Sequence, residues 1–143
     1  MEINTDFINS IDSLELLINK HYSQDLCLHQ EADIDERKEF KKILEDEKAY
    51  NNNISCIKSE IDSQYRKVKE LSMAYSDNEL VSRYLNKLRD VIPRTIEVVE
   101  QKFKLWRCKE GEVSFNLFED YRKNLVTAEN DRKELLNIVN NIK

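Results

Sequence analysis

Apolar residues in this chain recur three and four positions apart, the spacing of one face of an α-helix. The first periodic segment follows Asn4 or Thr5, either of which can cap a helix, and carries Phe7, Ile11, Leu14 and Ile18. Beyond Ile18 the same phase falls on His21, Asp25 and Leu28, so the stripe weakens. A helix over roughly residues 5–28 is predicted, ending before the polar run His29-Gln30-Glu31-Ala32-Asp33. Asp33, with Glu36 three positions on, has the form of a new helix start.

The clearest periodicity begins at Phe40 and runs through Ile43, Glu47, Tyr50, Ile54, Ile57, Ile61, Gln64, Val68, Leu71 and Tyr75. Strict 3-4 alternation of this kind is coiled-coil patterning. It passes without a phase change through Asn51-Asn52-Asn53, which fall at the outer positions of the heptad. One helix over about residues 35–75 is therefore expected, roughly 60 Å long at 1.5 Å per residue.

Ser76-Asp77-Asn78-Glu79 has the S-x-x-E form of a capping box and predicts a third helix over 77–109. Its inward stripe reads Val81, Leu85, Leu88, Ile92, Ile96, Val99, Phe103 and Trp106, with a stutter of two successive four-residue steps around Pro93. Either a kinked continuous helix or a new helix opened by the proline accommodates that stutter. After Gly111, a last stripe of Phe118, Tyr121, Leu125, Ala128, Arg132, Leu135, Val139 and Ile142 predicts a helix over 113–142.

These segments imply one all-helical domain over residues 1–143. Two all-α arrangements accommodate them: a long antiparallel coiled-coil-like helical hairpin pivoting at Ser76, or an elongated four-helix bundle. Composition narrows the class further. The 143 residues include one glycine and one proline, where average usage would give roughly ten and seven. Tight sheet turns and glycine-rich phosphate loops are thereby excluded. With 36% charged and 40% apolar residues, each helix is expected to bury a narrow stripe and solvate the rest. No apolar stretch approaches the roughly 20 residues of a membrane span. The opening MEINTDF lacks the basic and apolar regions of a secretory signal, and Cys27, Cys56 and Cys108 are few and scattered, so a cytoplasmic protein with reduced thiols is expected.

Chemistry is sparse. His21, Cys27, His29, Glu31, Asp33 and Asp35 lie close in sequence, but H-x5-C-x-H matches no standard zinc spacing and no Glu-x-x-His pair is present. His21 and His29 stand at i−6 and i+2 from Cys27, which on a helix do not face it. No catalytic, metal or cofactor residue is therefore assigned, and no enzymatic activity is expected.

Charge, by contrast, is segregated. Residues 1–36 carry nine acids and one base, net −8, whereas residues 83–109 carry eight bases and three acids, net +5. Within the basic segment Lys102, Lys104, Arg107 and Lys109 alternate with Phe103 and Trp106. This pattern suits phosphate contacts with base stacking, in which Arg89 and Arg94 would join, or an acidic protein partner. Leu16, Leu26, Leu80, Val98, Val113, Phe115 and Leu117 add apolar surface outside the main stripes. Expected partner-binding residues are thus Lys102, Lys104, Trp106, Arg107, Lys109, Val113, Phe115 and Leu117.

Trp106-Arg107 with Lys109-Glu110-Gly111, in the second arm of a chain that reverses near its middle, resembles the stalk proteins of flagellar and type III export ATPases. That resemblance implies a rod inserted into an ATPase ring. From the residues themselves, the leading expectation is a protein–protein interaction module, an adaptor, secretion accessory, chaperone or assembly subunit, with homo-oligomerisation open to it. A nucleic-acid-associated helical protein using segment 83–109 is the alternative.

Overall fold

The computed structural model describes residues 3–23, 46–107 and 115–143. Within them the chain is all-α: α1 (Thr5–Ser23), α2 (Glu47–Ser72), α3 (Glu79–Arg107) and α4 (Phe115–Ile142), with a tight helical turn over Met73–Tyr75 and no strand among the described residues. No described helix is long and apolar enough to cross a membrane.

Local chemistry sets the helix ends. Asn4 caps α1, its Oδ1 accepting from the Asp6 N–H at 2.7 Å. Expected residues 24–28 of that helix lie outside the described residues. The predicted helix over 35–75 is described from residue 46 onward, and its helical course reaches Tyr75 through the turn over Met73–Tyr75. Asp46 is extended (φ −76°, ψ 113°) and its carboxylate accepts from the Lys48 N–H, so the helix opens at Glu47. Heptad phase reports which face is apolar and is silent about backbone continuity, and a good capping residue ends a helix without disturbing that phase. Residues 35–45 lie outside the described residues. Asn51, Asn52 and Asn53 are helical, as the phase requires, and Asn53 Nδ2 returns a hydrogen bond to the Ala49 carbonyl.

At the other end the tighter pitch over Met73–Tyr75 rotates the buried face. Ser72 and Tyr75, three residues apart, are buried, and Leu71 is exposed although the heptad assigns it inward. The turn also overrules the expected capping box. Ser76 remains in the helical region (φ −58°, ψ −25°), whereas an N-cap needs extended backbone. Asn78 takes that role, its Oδ1 accepting from the N–H groups of Leu80 (2.9 Å) and Val81 (3.2 Å), and α3 starts at Glu79.

α3 runs without a break through Pro93, whose ring lies on the exposed side. Its most deeply buried row is Val81, Tyr84, Leu88, Val91, Thr95, Val98, Lys102 and Leu105, an uninterrupted 3-4 alternation. The stutter predicted at Pro93 therefore disappears. Reading Leu85, Ile92 and Ile96 as the seam selected the larger apolar side chains. Those residues are half-buried along a second face of the same helix. In α4 the stripe Tyr121, Leu125, Ala128, Arg132, Leu135, Val139, Ile142 faces inward, while Phe118 is exposed.

Sequential helices are antiparallel. Gln64 of α2 donates to the Ser10 carbonyl of α1, and the Asn4 N–H to the Tyr75 hydroxyl. Lys58 of α2 pairs with Glu100 of α3, and Lys87 and Arg94 of α3 bond Asp131 and Asn124 of α4. α1 also meets α4, through Lys143 to Asp12 and Arg132 to Asn19. The result is a bundle-like fold in which α3 packs most extensively against α4 and least against α2.

The main core lies toward the Met73–Asn78 turn. There Phe7, Ile11, Leu14 and Ile18 meet Val68 and Tyr75, Val81, Tyr84, Leu88 and Val91, and Leu135, Val139 and Ile142, so that all four helices contribute. Phe7 and Tyr75 stack with ring centroids 5.1 Å apart. Farther along, the described core divides. Tyr50 and Ile54 pack on Val99 and Phe103 on one side of α3, and Tyr121 and Ala128 pack on Val98 and Leu105 on the other.

Candidate functional site

Antiparallel α3 and α4 are strapped together by polar side chains. Lys87 Nζ stands 3.1 Å from Asp131 and 2.6 Å from Glu134, and these two carboxylates raise its pKa. Two turns further on, Asn124 accepts from Arg94 at 2.9 Å and donates to Glu97 and Gln101 at 2.9 and 2.8 Å. α2 and α3 are linked by Lys58 to Glu100 at 2.9 Å. Between them runs an open groove of about 330 Å³ lined by Lys58, Ser59, Ile61, Asp62, Tyr65, Ile92 and Ile96. Its floor is apolar, and a cation and a carboxylate stand one turn apart at its rim.

Helical phase produces this groove. Tyr65, Ile92 and Ile96 lie beside the buried rows of their helices and are half-buried where a closer α2–α3 contact would have covered them. Ile61, Ile92 and Ile96 were expected in the seams. Tyr65 had no assigned role, and only its place next to the polar heptad position Gln64 marked it.

The basic aromatic segment is organised differently from its expected form. Lys102 is 1% exposed, in the buried row of α3, with its ammonium 6.0 Å from the Phe103 ring centroid. A four-carbon stem allows a lysine to occupy an inward position that periodicity reserves for an apolar residue. Phe103 is buried against Tyr50 and Val99. Lys104 is exposed, and so is Arg89, while Arg94 is engaged with Asn124 and Glu97. Trp106 and Arg107 lie in the last turn of α3 and Phe115 opens α4. Lys109 and Val113 lie outside the described residues. Leu117 is half-buried against the cluster of Val98, Leu105, Tyr121 and Ala128. Of the eight expected partner-binding residues, Lys102 is thus buried, Leu117 half-buried and Lys104 exposed.

Exposed apolar side chains occur on three helices: Leu16 on α1, Leu71 on α2, and Phe118, Val126 and Leu136 on α4, with Met73 in the turn that follows α2. Cys56 is an exposed free thiol on α2. No group of three or more His, Cys, Asp or Glu able to hold a metal ion occurs among the described residues. Cys27, His29, Glu31, Asp33 and Asp35 lie outside them, as does Cys108.

One polar group sits within the main core. Glu15 of α1 and Tyr84 of α3 place both carboxylate oxygens and the phenolic oxygen out of solvent, with no hydrogen-bond partner among the described residues. Burial raises the Glu15 pKa, against the opposing pull of Arg132 and Lys143. Burial, with the charges of Glu15 and Asp12, pushes that of Tyr84 far above the ordinary phenol range. Tyr84 stands three residues after Val81 and four before Leu88, so its inward place was readable from the spacing. Glu15 was not readable in this way, because a carboxylate next to a seam position is ordinarily solvated.

No family model, curated protein or solved structure matches the chain.

Proposed function

We propose that the protein is a non-enzymatic, cytoplasmic helical interaction module built as an elongated four-helix bundle, binding an amphipathic helix of a protein partner. The observation that carries this reading is the groove between α2 and α3, where Tyr65, Ile92 and Ile96 remain half-buried beside the tightly strapped α3–α4 pair. Lys58 to Tyr65 spans two turns of α2, about 10 Å, enough to seat two turns of a partner helix through side chains at i and i+3 or i+4. Lys58 and Asp62 at the rim would set the direction of the incoming helix. The burial of Lys102 and the engagement of Arg94 favour a protein partner over a nucleic acid, because both cations are held within the fold.

Light scattering combined with affinity capture from the native cell tests the proposal. Wild-type protein should retain a specific partner, and Ile96→Glu, at a half-buried groove position, should lose it while keeping the helical spectrum. A monomer that captures no protein, or equal capture by the variant, would refute the assignment.

A further inference from the structure

We propose that Glu15, Tyr84 and Arg132 form a proton-operated latch that sets how tightly α1 docks against α3 and α4. The three residues come from three helices and converge on the main core. Glu15 follows Leu14 between the buried Ile11 and Ile18, Tyr84 is fully buried in the central row of α3, and Arg132 occupies the inward row of α4 between Ala128 and Leu135. Neither Glu15 oxygen has a hydrogen-bond partner among the described residues, and the adjacent phenol does not supply one. The guanidinium of Arg132 donates instead to Asn19 Oδ1 at 3.0 Å, one turn along α1. When ionised, this carboxylate lacks the hydrogen bonds that normally accompany a buried charge.

The surrounding charges decide the direction of the effect. On its own helix Glu15 faces Asp12, which is itself paired with Lys143, directly after the end of α4. α4 contributes the cation Arg132, and Lys143 adds a second. α3 contributes the neutral Tyr84, and Lys87 is occupied by Asp131 and Glu134. α2 brings Val68 and Tyr65 to this part of the core. Desolvation outweighs the two cations and holds the folded-state pKa of Glu15 above its ordinary value of 4.5. The folded state therefore binds the proton more tightly than the unfolded chain does. Protonation tightens α1, and docking weakens as the pH rises from about 4.5 through the raised folded value. A change of one pK unit corresponds to a tenfold change in the docking equilibrium.

Hydrogen exchange of α1 amides, corrected for intrinsic rates and followed from acid to neutral pH, reads the latch directly. Wild-type α1 should lose protection as the pH rises while amides of the α3–α4 seam change less. Glu15→Gln, which keeps the shape and removes the charge, should hold α1 protection flat across the same window. Arg132→Gln removes the main opposing cation and should move the wild-type transition to higher pH. The Arg132 variant keeps the proposal testable should Glu15→Gln fail to fold. A flat wild-type profile, an unchanged pH dependence in Glu15→Gln, or a downward move in Arg132→Gln would overturn it.

Discussion

Leu14 and Leu16 stand two residues apart on α1, and the structure gives them opposite environments: Leu14 is 0% exposed and Leu16 71%. Replacing either by alanine deletes the same three carbons. At Leu14 the lost transfer free energy is about 2.4 kcal/mol at ~0.8 kcal/mol per methylene, and the cavity left among Ile11, Ile18 and the facing helices brings the expected cost to about 3–5 kcal/mol. At Leu16 less than a third of the side chain leaves water on folding, so the same deletion costs about 0.7 kcal/mol. The higher helix propensity of alanine offsets a few tenths of that. Urea unfolding followed by far-UV circular dichroism measures both variants against wild type, with equal slopes establishing that only stability has changed. A shared cost within about 0.5 kcal/mol, or a larger one at Leu16, would show that α1 packs through a different face from the one described.

Other expectations follow from the helix ends and the seams. Asn78→Ala should cost about 1 kcal/mol through loss of the α3 cap, whereas Ser76→Ala should change stability little, as thermal unfolding of the two variants would show. Pro93→Ala restores the hydrogen bond to the Arg89 carbonyl on an exposed face and should stabilise the fold by about 1–3 kcal/mol in denaturant titrations; a destabilised variant would contradict a continuous α3. The pKa of Lys87 is raised, so its contribution is complete below the ordinary lysine value and is lost as the pH rises through the folded value. Lys87→Met should accordingly remove part of the alkaline loss of stability, and identical alkaline profiles for variant and wild type would disprove this role of the pair.

Helical phase was legible from the sequence wherever apolar residues alone mark it. The α4 row from Tyr121 to Ile142 and the α1 row from Phe7 to Ile18 face inward in the register that the spacing predicts. The expected stripe of α3 holds at Val81, Leu88, Val99 and Phe103 and departs from the most buried row at Leu85, Ile92 and Ile96, for a definite reason. Its buried row includes Thr95 and Lys102, whose side chains satisfy their polar groups locally or carry them on a long stem. A count of apolar positions therefore favours the neighbouring row through Leu85, Ile92 and Ile96. Helix ends were the least legible feature, because Asp46 and Asn78 act through backbone geometry that periodicity does not encode. As for the candidate site, the groove depends on how far α2 and α3 stand apart, a quantity set by all their contacts together. The sequence supplied its isoleucines and not the space between them.

The division of the core beyond the main cluster has a mechanical meaning. Where all four helices meet, each described helix covers apolar residues of the others, so lifting any one of them exposes part of a shared core. In the other half, the two described clusters sit on opposite sides of α3 with no buried residue in common. There the described apolar contacts of α2 and α4 with α3 run through separate residues, so a truncation in one cluster is expected to leave the packing of the other unchanged. α3 is thus the keystone of the described fold: every apolar cluster rests on it, one shared by all four helices and two held through separate residues.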